Sequence, residues 1–349
     1  MKDEMLLAIK KEIGLRRHDL ENKNIQSLYF GGGTPSVLSV DEIRSLIDEF
    51  QKYFSFDENI EITLESNPDD LNKNFLKQLS QTEINRLSIG TQSFFDEDLK
   101  LMNRAHNASE AESSIKRAQD FGLENISIDL IYGSPTSSLQ IWKENLNRTI
   151  ELQVPHVSSY ALTVEPKTAL EKWIQNGKVT QPEEAEQNQE FYYMSDFLKQ
   201  NGFDHYEISN FGKPGFHSRH NSAYWKSAPY LGIGPSAHSY NGNLERSWNI
   251  ANNPLYIKNI NQNILPKETE ILSEKDRFNE MLMIGLRTIW GVDLNKINQN
   301  FSSQITDYFN QEIKNKLESG ILIIENNHLK IPGKHWFLAD GIASDLFMV

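Results

Sequence analysis

Between residues 25 and 162, short apolar runs alternate with segments of helical periodicity, and no other feature restricts the fold of this chain as strongly. The strand-like runs cover 25–30, 60–64, 86–89, 126–131 and 157–162. Between them lie helical faces formed by Ile43, Leu46, Ile47, Phe50 and Phe54, by Leu71, Phe75, Leu76 and Leu79, by Ile115, Ala118 and Phe121, and by Leu139, Trp142, Leu146 and Ile150. Connections long enough to hold a helix suit right-handed parallel crossovers and are too long for tight hairpins. The pattern predicts an α/β protein whose parallel sheet is either open or rolled toward a barrel. Met5, Leu6, Ile9 and Ile13 share a helical face, so the chain opens on a helix, and Ser39 with Glu42 forms a capping box that starts the next one.

Downstream the pattern loosens. Residues 204–240 are crowded with aromatics, Gly and His and show no clear period, and 241–272 reads as a connecting segment. From residue 273 helical faces return (Met281, Leu282, Ile284 and Leu286, then Ile313 and Leu317). Two short apolar runs flanking Asn326 and Asn327 make a hairpin, and a last helix lies near residues 339–347. Helices followed by a small hairpin suggest a winged-helix-like appendage. The expected organisation is thus a barrel-like domain over 1–240, a connector over 241–272 and a small domain over 273–349.

Composition removes several function classes. The 349 residues carry a formal charge of -13, which argues against a surface made to neutralise phosphates. The winged-helix-like segment itself has 8 Lys and Arg against 10 Asp and Glu, a net of -2, so protein contact or domain packing suits it better than DNA. There is no cysteine, which excludes disulfides, thiolate catalysis and thiolate-held zinc or iron–sulfur centres among these residues. Charged side chains interrupt the first twenty residues, and no apolar run approaches a bilayer span, so the cytoplasm is the expected compartment.

In parallel α/β folds, ligands gather at the carboxyl ends of the strands. Gly31, Gly32 and Gly33 end the first strand-like run, followed by Thr34; three glycines expose backbone polar groups with no Cβ in the way. Glu65 ends the second run, Gln92 follows the third, Arg104 comes shortly after, and Asp129 interrupts the apolar fourth. Each alone reads equally as a satisfied buried polar group or a cap; together they favour a small-molecule site.

The stretches LYFGGGTPS, LESNPDD, RLSIGTQSF, NRAH and IDLIYGSP resemble the radical S-adenosylmethionine (SAM) enzymes of the oxygen-independent coproporphyrinogen III oxidase family. HNSAYW, at residues 220–225, is similar to the motif of the HemW-type branch, heme chaperones. The resemblance implies a partial (β/α)6 barrel, with Gly32, Gly33 and Thr34 at the methionine part of SAM and Glu65 at its polar groups. Gln92, Arg104 and Asp129 would surround its ribose and carboxylate. It implies heme binding at His220, Asn221, Tyr224 and Trp225. His220 is then the candidate axial iron ligand, with His217 and His238 as nearby alternatives. An acceptor protein for the heme is implied as partner.

The front of the chain departs from the family pattern. Family members begin with a strand and a CxxxCxxC loop that holds a [4Fe–4S] cluster, whereas this chain has no cysteine and reads as a partial barrel lacking its first β-unit. Without the cluster SAM is expected to bind only weakly and no electron reaches it, so no residue is assigned a catalytic role. The expected function is heme binding and transfer, with an incomplete coproporphyrinogen III oxidase-like oxidoreductase as the alternative.

Overall fold

A computed structural model describes all 349 residues. Seven strands form the main sheet: β1 (Asn24–Phe30), β2 (Ser55–Ser66), β3 (Arg86–Gln92), β4 (Ile126–Tyr132), β5 (His156–Ala161), β6 (Asp204–Glu207) and β7 (Asn210–Gly212), in the order β1-β2-β3-β4-β5-β7-β6. β2, β3, β4 and β5 pair in parallel with one another, and β7 and β6 add an antiparallel margin beside β5. The helices Lys73–Leu79, Ala108–Asp120 and Leu139–Glu151 make the crossovers between the parallel strands. The alternation in the sequence thus has the physical cause assigned to it, and the fold is α/β.

Burial along the sheet follows position. β3, in the interior, is buried at all but its last residue, whereas β1, at one edge, has no fully buried residue. Local signals are used as the sequence predicts. Ser39 Oγ accepts from the backbone of Glu42, whose carboxylate accepts from Ser39 N at 2.7 Å, and Asn107 with Glu110 repeats the device. Gly122, at φ 80°, turns the chain out of the helix Ala108–Asp120 that precedes it, a conformation that an L side chain adopts only under strain.

The chain divides into two compact units: residues 29–37 with 62–218, and residues 1–28, 38–61 and 219–349. This division cuts across the order of the sequence, because β1 and β2 each begin in one unit and end in the other. The unit of 29–37 and 62–218 holds the parallel core, including Leu64, Leu87, Ile89, Ile128, Leu130, Trp142 and Leu146.

The second unit contains two small sheets. In the first, β8 (His238–Tyr240), β9 (Glu245–Asn249) and β10 (Lys267–Ile271) are antiparallel in the order β10-β9-β8. The expected connector 241–272 therefore holds two strands and the helix Asn253–Asn261. Its edge strand β10 is mostly exposed and carries Lys267, Glu268 and Glu270, so hydrophobic patterning gave no sign of it. The other sheet joins β11 (Val292–Asp293), β12 (Ile323–Glu325) and β13 (His328–Lys330) in the order β11-β13-β12, beside the helices Glu274–Leu286 and Ser303–Glu318. Asn326 and Asn327 turn the β12–β13 hairpin at φ 49° and 63°, as their side chains permit.

The opening helix, Lys2–Leu15, buries charge as well as hydrocarbon. Glu12 and Arg16 are 0% and 2% exposed, paired at 3.4 Å. Glu12 also accepts from Gly234 N at 2.8 Å, Asn249 Nδ2 at 2.7 Å and Tyr256 OH. Arg16 donates to Gly232 O at 2.7 Å and Ser239 Oγ at 3.0 Å. The ion pair fixes the helix against β8, β9 and the 231–234 loop by satisfied hydrogen bonds.

Candidate functional site

The carboxyl ends of β1 to β5 bring together most of the polar residues that the sequence singled out. Tyr29 and Gly31–Gly33 come from β1 and its loop, Glu65 and Asn67 from β2, Gly90 and Gln92 from β3, and Asp129 from β4. Tyr29 OH donates to Glu65 Oε1 at 2.6 Å, and Gly32 N donates to Glu65 Oε2 at 3.3 Å. Gly31 has to be glycine here: a Cβ would stand 2.8 Å from Glu65 Oε1 and 2.5 Å from the Tyr29 ring. Gly33 and Thr34 lie on the exposed loop beyond it. Arg104 Nη2 donates to Asn67 Oδ1 at 2.9 Å and weakly to Gly90 O at 3.4 Å. Gln92 sits at a bulge in β3 with φ 65°, which turns its amide beside Gly90.

Asp129 is the most perturbed acid of this group. Burial, reinforced by the charge of Glu65, pushes its pKa up to about 7, against hydrogen bonds from Ser158 and Ser88 and the charge of Arg104. A carboxyl pair in which one member resists ionisation favours a cation or a set of hydroxyl donors as its partner. Nearby strand ends add Ser66, Thr91 and Ser159, whose buried hydroxyl oxygens have no hydrogen-bond partner. Tyr29, Asn67, Ser88 and Ser158 were not singled out in the sequence. Tyr29, Asn67 and Ser88 stand inside the quoted motifs, but that Ser88 and Ser158 meet Asp129 became visible only once the strands were in register.

The second group of residues lies on the helix Arg219–Trp225, which begins where the main sheet has ended. The backbone N of His220 donates to Glu61 Oε1 at 3.0 Å, and Arg219 N donates to Oε2 of the same carboxylate at 3.1 Å, so Glu61 anchors the first turn. His220 Nδ1 is 3.1 Å from Ser27 Oγ, and the ring meets Tyr224 edge-on at 5.0 Å. Burial pushes the imidazole down to about 4, with Glu61 opposing, so it is neutral at pH 7. Tyr224 continues edge-on to Tyr230 at 4.7 Å, and Asn221 and Trp225 are half-buried on the same helix.

The other two histidines are differently placed. His217 stacks on Tyr206 at 4.3 Å and its Nε2 is 3.0 Å from Asp204 Oδ2. His238 is exposed on β8, 5.9 Å from the Trp248 ring. Glu61, Ser27 and Tyr230 are the partners that sequence reasoning missed; Ser27 and Glu61 belong to strands whose burial pattern gave no reason to single out a polar position.

The residues present do not fit an iron–sulfur cluster. Such clusters are held by thiolates, this chain has none, and no three His, Asp or Glu side chains come together as a substitute. They do fit SAM, whose methionine carboxylate matches the Arg104 guanidinium and whose ribose hydroxyls match paired carboxylates.

Comparison with known proteins bears on the family and the fold. The profile of the radical SAM superfamily matches residues 9–148, and that of the HemN C-terminal domain matches 272–338. The solved structure of coproporphyrinogen III oxidase (HemN) from Escherichia coli, described as a radical SAM enzyme, superposes with a TM-score of 0.83. It covers 99% of this chain and 83% of its own length at 23% identity, a likeness of fold. The fold and the two profile matches put the chain in the radical SAM class, with the partial barrel that the sequence motifs implied. Among its relatives, the heme chaperone HemW of Lactococcus lactis is 32% identical over 326 residues, covering 92% of this chain and 84% of the relative. That of Bacillus subtilis is 31% identical over 322 residues, covering 92% and 85%. The chain belongs to the HemW family of heme chaperones.

Proposed function

We propose that this chain binds heme on the helix Arg219–Trp225, with His220 as the axial ligand and Tyr224 and Trp225 against the porphyrin, and passes it to an acceptor protein in the cytoplasm. The observation that carries this reading is the state of His220: a neutral imidazole, oriented through Nδ1 by Ser27 and through its backbone by Glu61, on a helix whose Tyr224 is 39% exposed. An iron ligand must be unprotonated, and burial keeps this imidazole so at pH 7. His217 is a weaker candidate because its Nε2 is already engaged by Asp204. The family's named activity supports the transfer step.

SAM is the second ligand of the proposal. Arg104 would hold its carboxylate and Glu65 and Asp129 its ribose, with Gly32, Gly33 and Thr34 along the methionine and Gln92 beside the nucleoside. When bound, SAM supplies a sulfonium carbon–sulfur bond open to reductive cleavage. With no thiolate in the chain, no cleavage step is assigned to these residues, and the coproporphyrinogen oxidase-like alternative has the shared fold and the HemN C-terminal domain match in its favour but is the weaker reading.

Titration of the purified chain with hemin, followed by the Soret band, tests the reading. Wild type, His217→Ala and His238→Ala should bind alike, and His220→Ala should lose the shifted band. A spectrum unchanged in His220→Ala would move the axial ligand elsewhere, and no binding by wild type would refute the function. Mixing the heme-loaded chain with an apo-hemoprotein tests transfer through the acceptor's own spectrum.

A further inference from the structure

The last turn of the motif helix is clasped by a segment within the HemN C-terminal domain match, the stretch after the helix Glu274–Leu286. Two cation–aromatic contacts cross between the segments. The Arg287 guanidinium lies 5.5 Å from the centre of the Trp225 ring, and the Lys226 ammonium lies 5.1 Å from that of Trp290. Arg287 Nη1 also pairs with the Asp340 carboxylate, which is 59% exposed. Arg287 Nε and Trp225 Nε1 are buried donors with no hydrogen-bond acceptor. Beside Trp225 and Trp290 in the sequence, Tyr224 and Ile289 are each 39% exposed, so apolar surface on both segments remains open to solvent.

This arrangement calls for a ligand that is both flat and anionic. The chain as a whole carries -13, and two cations beside exposed aromatic surface run against that balance. Heme is an apolar plate with two carboxylates on one edge. An axial bond and ring packing alone leave the plate free to rotate about the iron–nitrogen bond, whereas cations at one end select one rotation. An Arg fork can take a carboxylate on two donors, and Asp340 occupies only Nη1.

Resting on the heme reading above, we propose that the C-terminal domain completes the heme site, with Arg287 and Lys226 receiving the porphyrin carboxylates and thereby selecting carboxylate-bearing porphyrins and fixing their orientation. Trp225 then has two roles: it packs on the porphyrin and it holds Arg287 in place. The exposed Asp340 keeps Arg287 paired in the absence of heme.

The test compares hemin with its dimethyl ester, which has the same ring and iron but no carboxylate charge, on the full chain. Wild type should bind hemin about tenfold more tightly than the ester, the scale of one charge-assisted contact. Arg287→Ala and Lys226→Ala should each lose most of that preference by weakening hemin alone, Arg287→Lys should keep part of it, and Asp340→Asn should keep all of it. Lys226 is exposed, so its replacement does not endanger folding. The proposal is overturned by equal loss for hemin and ester, by variants that keep the wild-type preference, or by a wild type that shows none. If wild type binds neither compound, the heme reading itself fails and the proposal falls with it; if it binds both equally, only the proposal fails.

Discussion

Replacing Asp129 by Asn should stabilise the folded chain at alkaline pH and progressively less as the pH falls. An ordinary Asp titrates near 3.8 and this one near 7, because the folded state removes its carboxylate from water and sets it beside Glu65. Holding it ionised therefore costs the native state about 4 kcal/mol above pH 7, at about 1.4 kcal/mol per pH interval of one. The direction follows from proton counting. Between about pH 4 and 7 the folded chain holds a proton that the unfolded chain has lost, so stability is full below pH 4 and declines as pH rises through 7. Asn removes this dependence while keeping the side-chain volume. The side chain retains some exposure at the mouth of the sheet, and the water there reduces the penalty, leaving an expected difference of about 1–3 kcal/mol between pH 5 and pH 8. Urea unfolding of both proteins at the two pH values measures it. A gap between variant and parent that does not change with pH, or one that favours the parent as pH rises, would show that Arg104 and the serines keep Asp129 ionised, and the argument from burial would be wrong.

Hemin affinity should hold from pH 8 down to about pH 5 and fail as pH approaches 4, where the buried His220 takes up a proton; a loss centred near 6.5 in a pH-resolved Soret titration would place the ligand on an ordinary exposed histidine. Arg16→Met should lower stability by about 3–5 kcal/mol in urea titrations, because Glu12 is left as an unpaired buried charge, and a loss below about 1 kcal/mol would mean that Asn249, Tyr256 and Gly234 suffice to hold it. Calorimetry with SAM should show binding about tenfold weaker in Arg104→Ala than in wild type, and equal affinities would remove Arg104 from the carboxylate subsite. Anaerobic incubation with iron and sulfide should leave no [4Fe–4S] chromophore on the desalted chain; a stoichiometric cluster would mean that side chains other than thiolates hold it.

What the amino-acid sequence determined by itself is the part of this protein carried by local periodicity and by motif. Apolar runs and helical faces specify β1 to β5 and their crossovers because each element must bury one face, and a period can be read without knowing what covers it. Glu65 and Gln92 were legible as polar residues at the ends of apolar strands, Asp129 as a polar residue inside one, and Arg104 through its motif. The tertiary structure alone decided which polar side chains meet. Ser88 and Ser158 reach Asp129 only because β3, β4 and β5 are paired in a particular register, and Ser27 and Glu61 reach His220 across 193 and 159 positions of chain. β9 and β10 stayed hidden in a stretch read as a connector, since an exposed antiparallel edge needs backbone partners more than hydrophobic side chains. No pattern in the opening helix marks Glu12 and Arg16 for burial, and only their convergence with Asn249, Tyr256, Ser239 and the 231–234 loop shows why they are buried. Hydrogen bonds and ion pairs act between groups brought together by long loops, and no one-dimensional pattern encodes that distance.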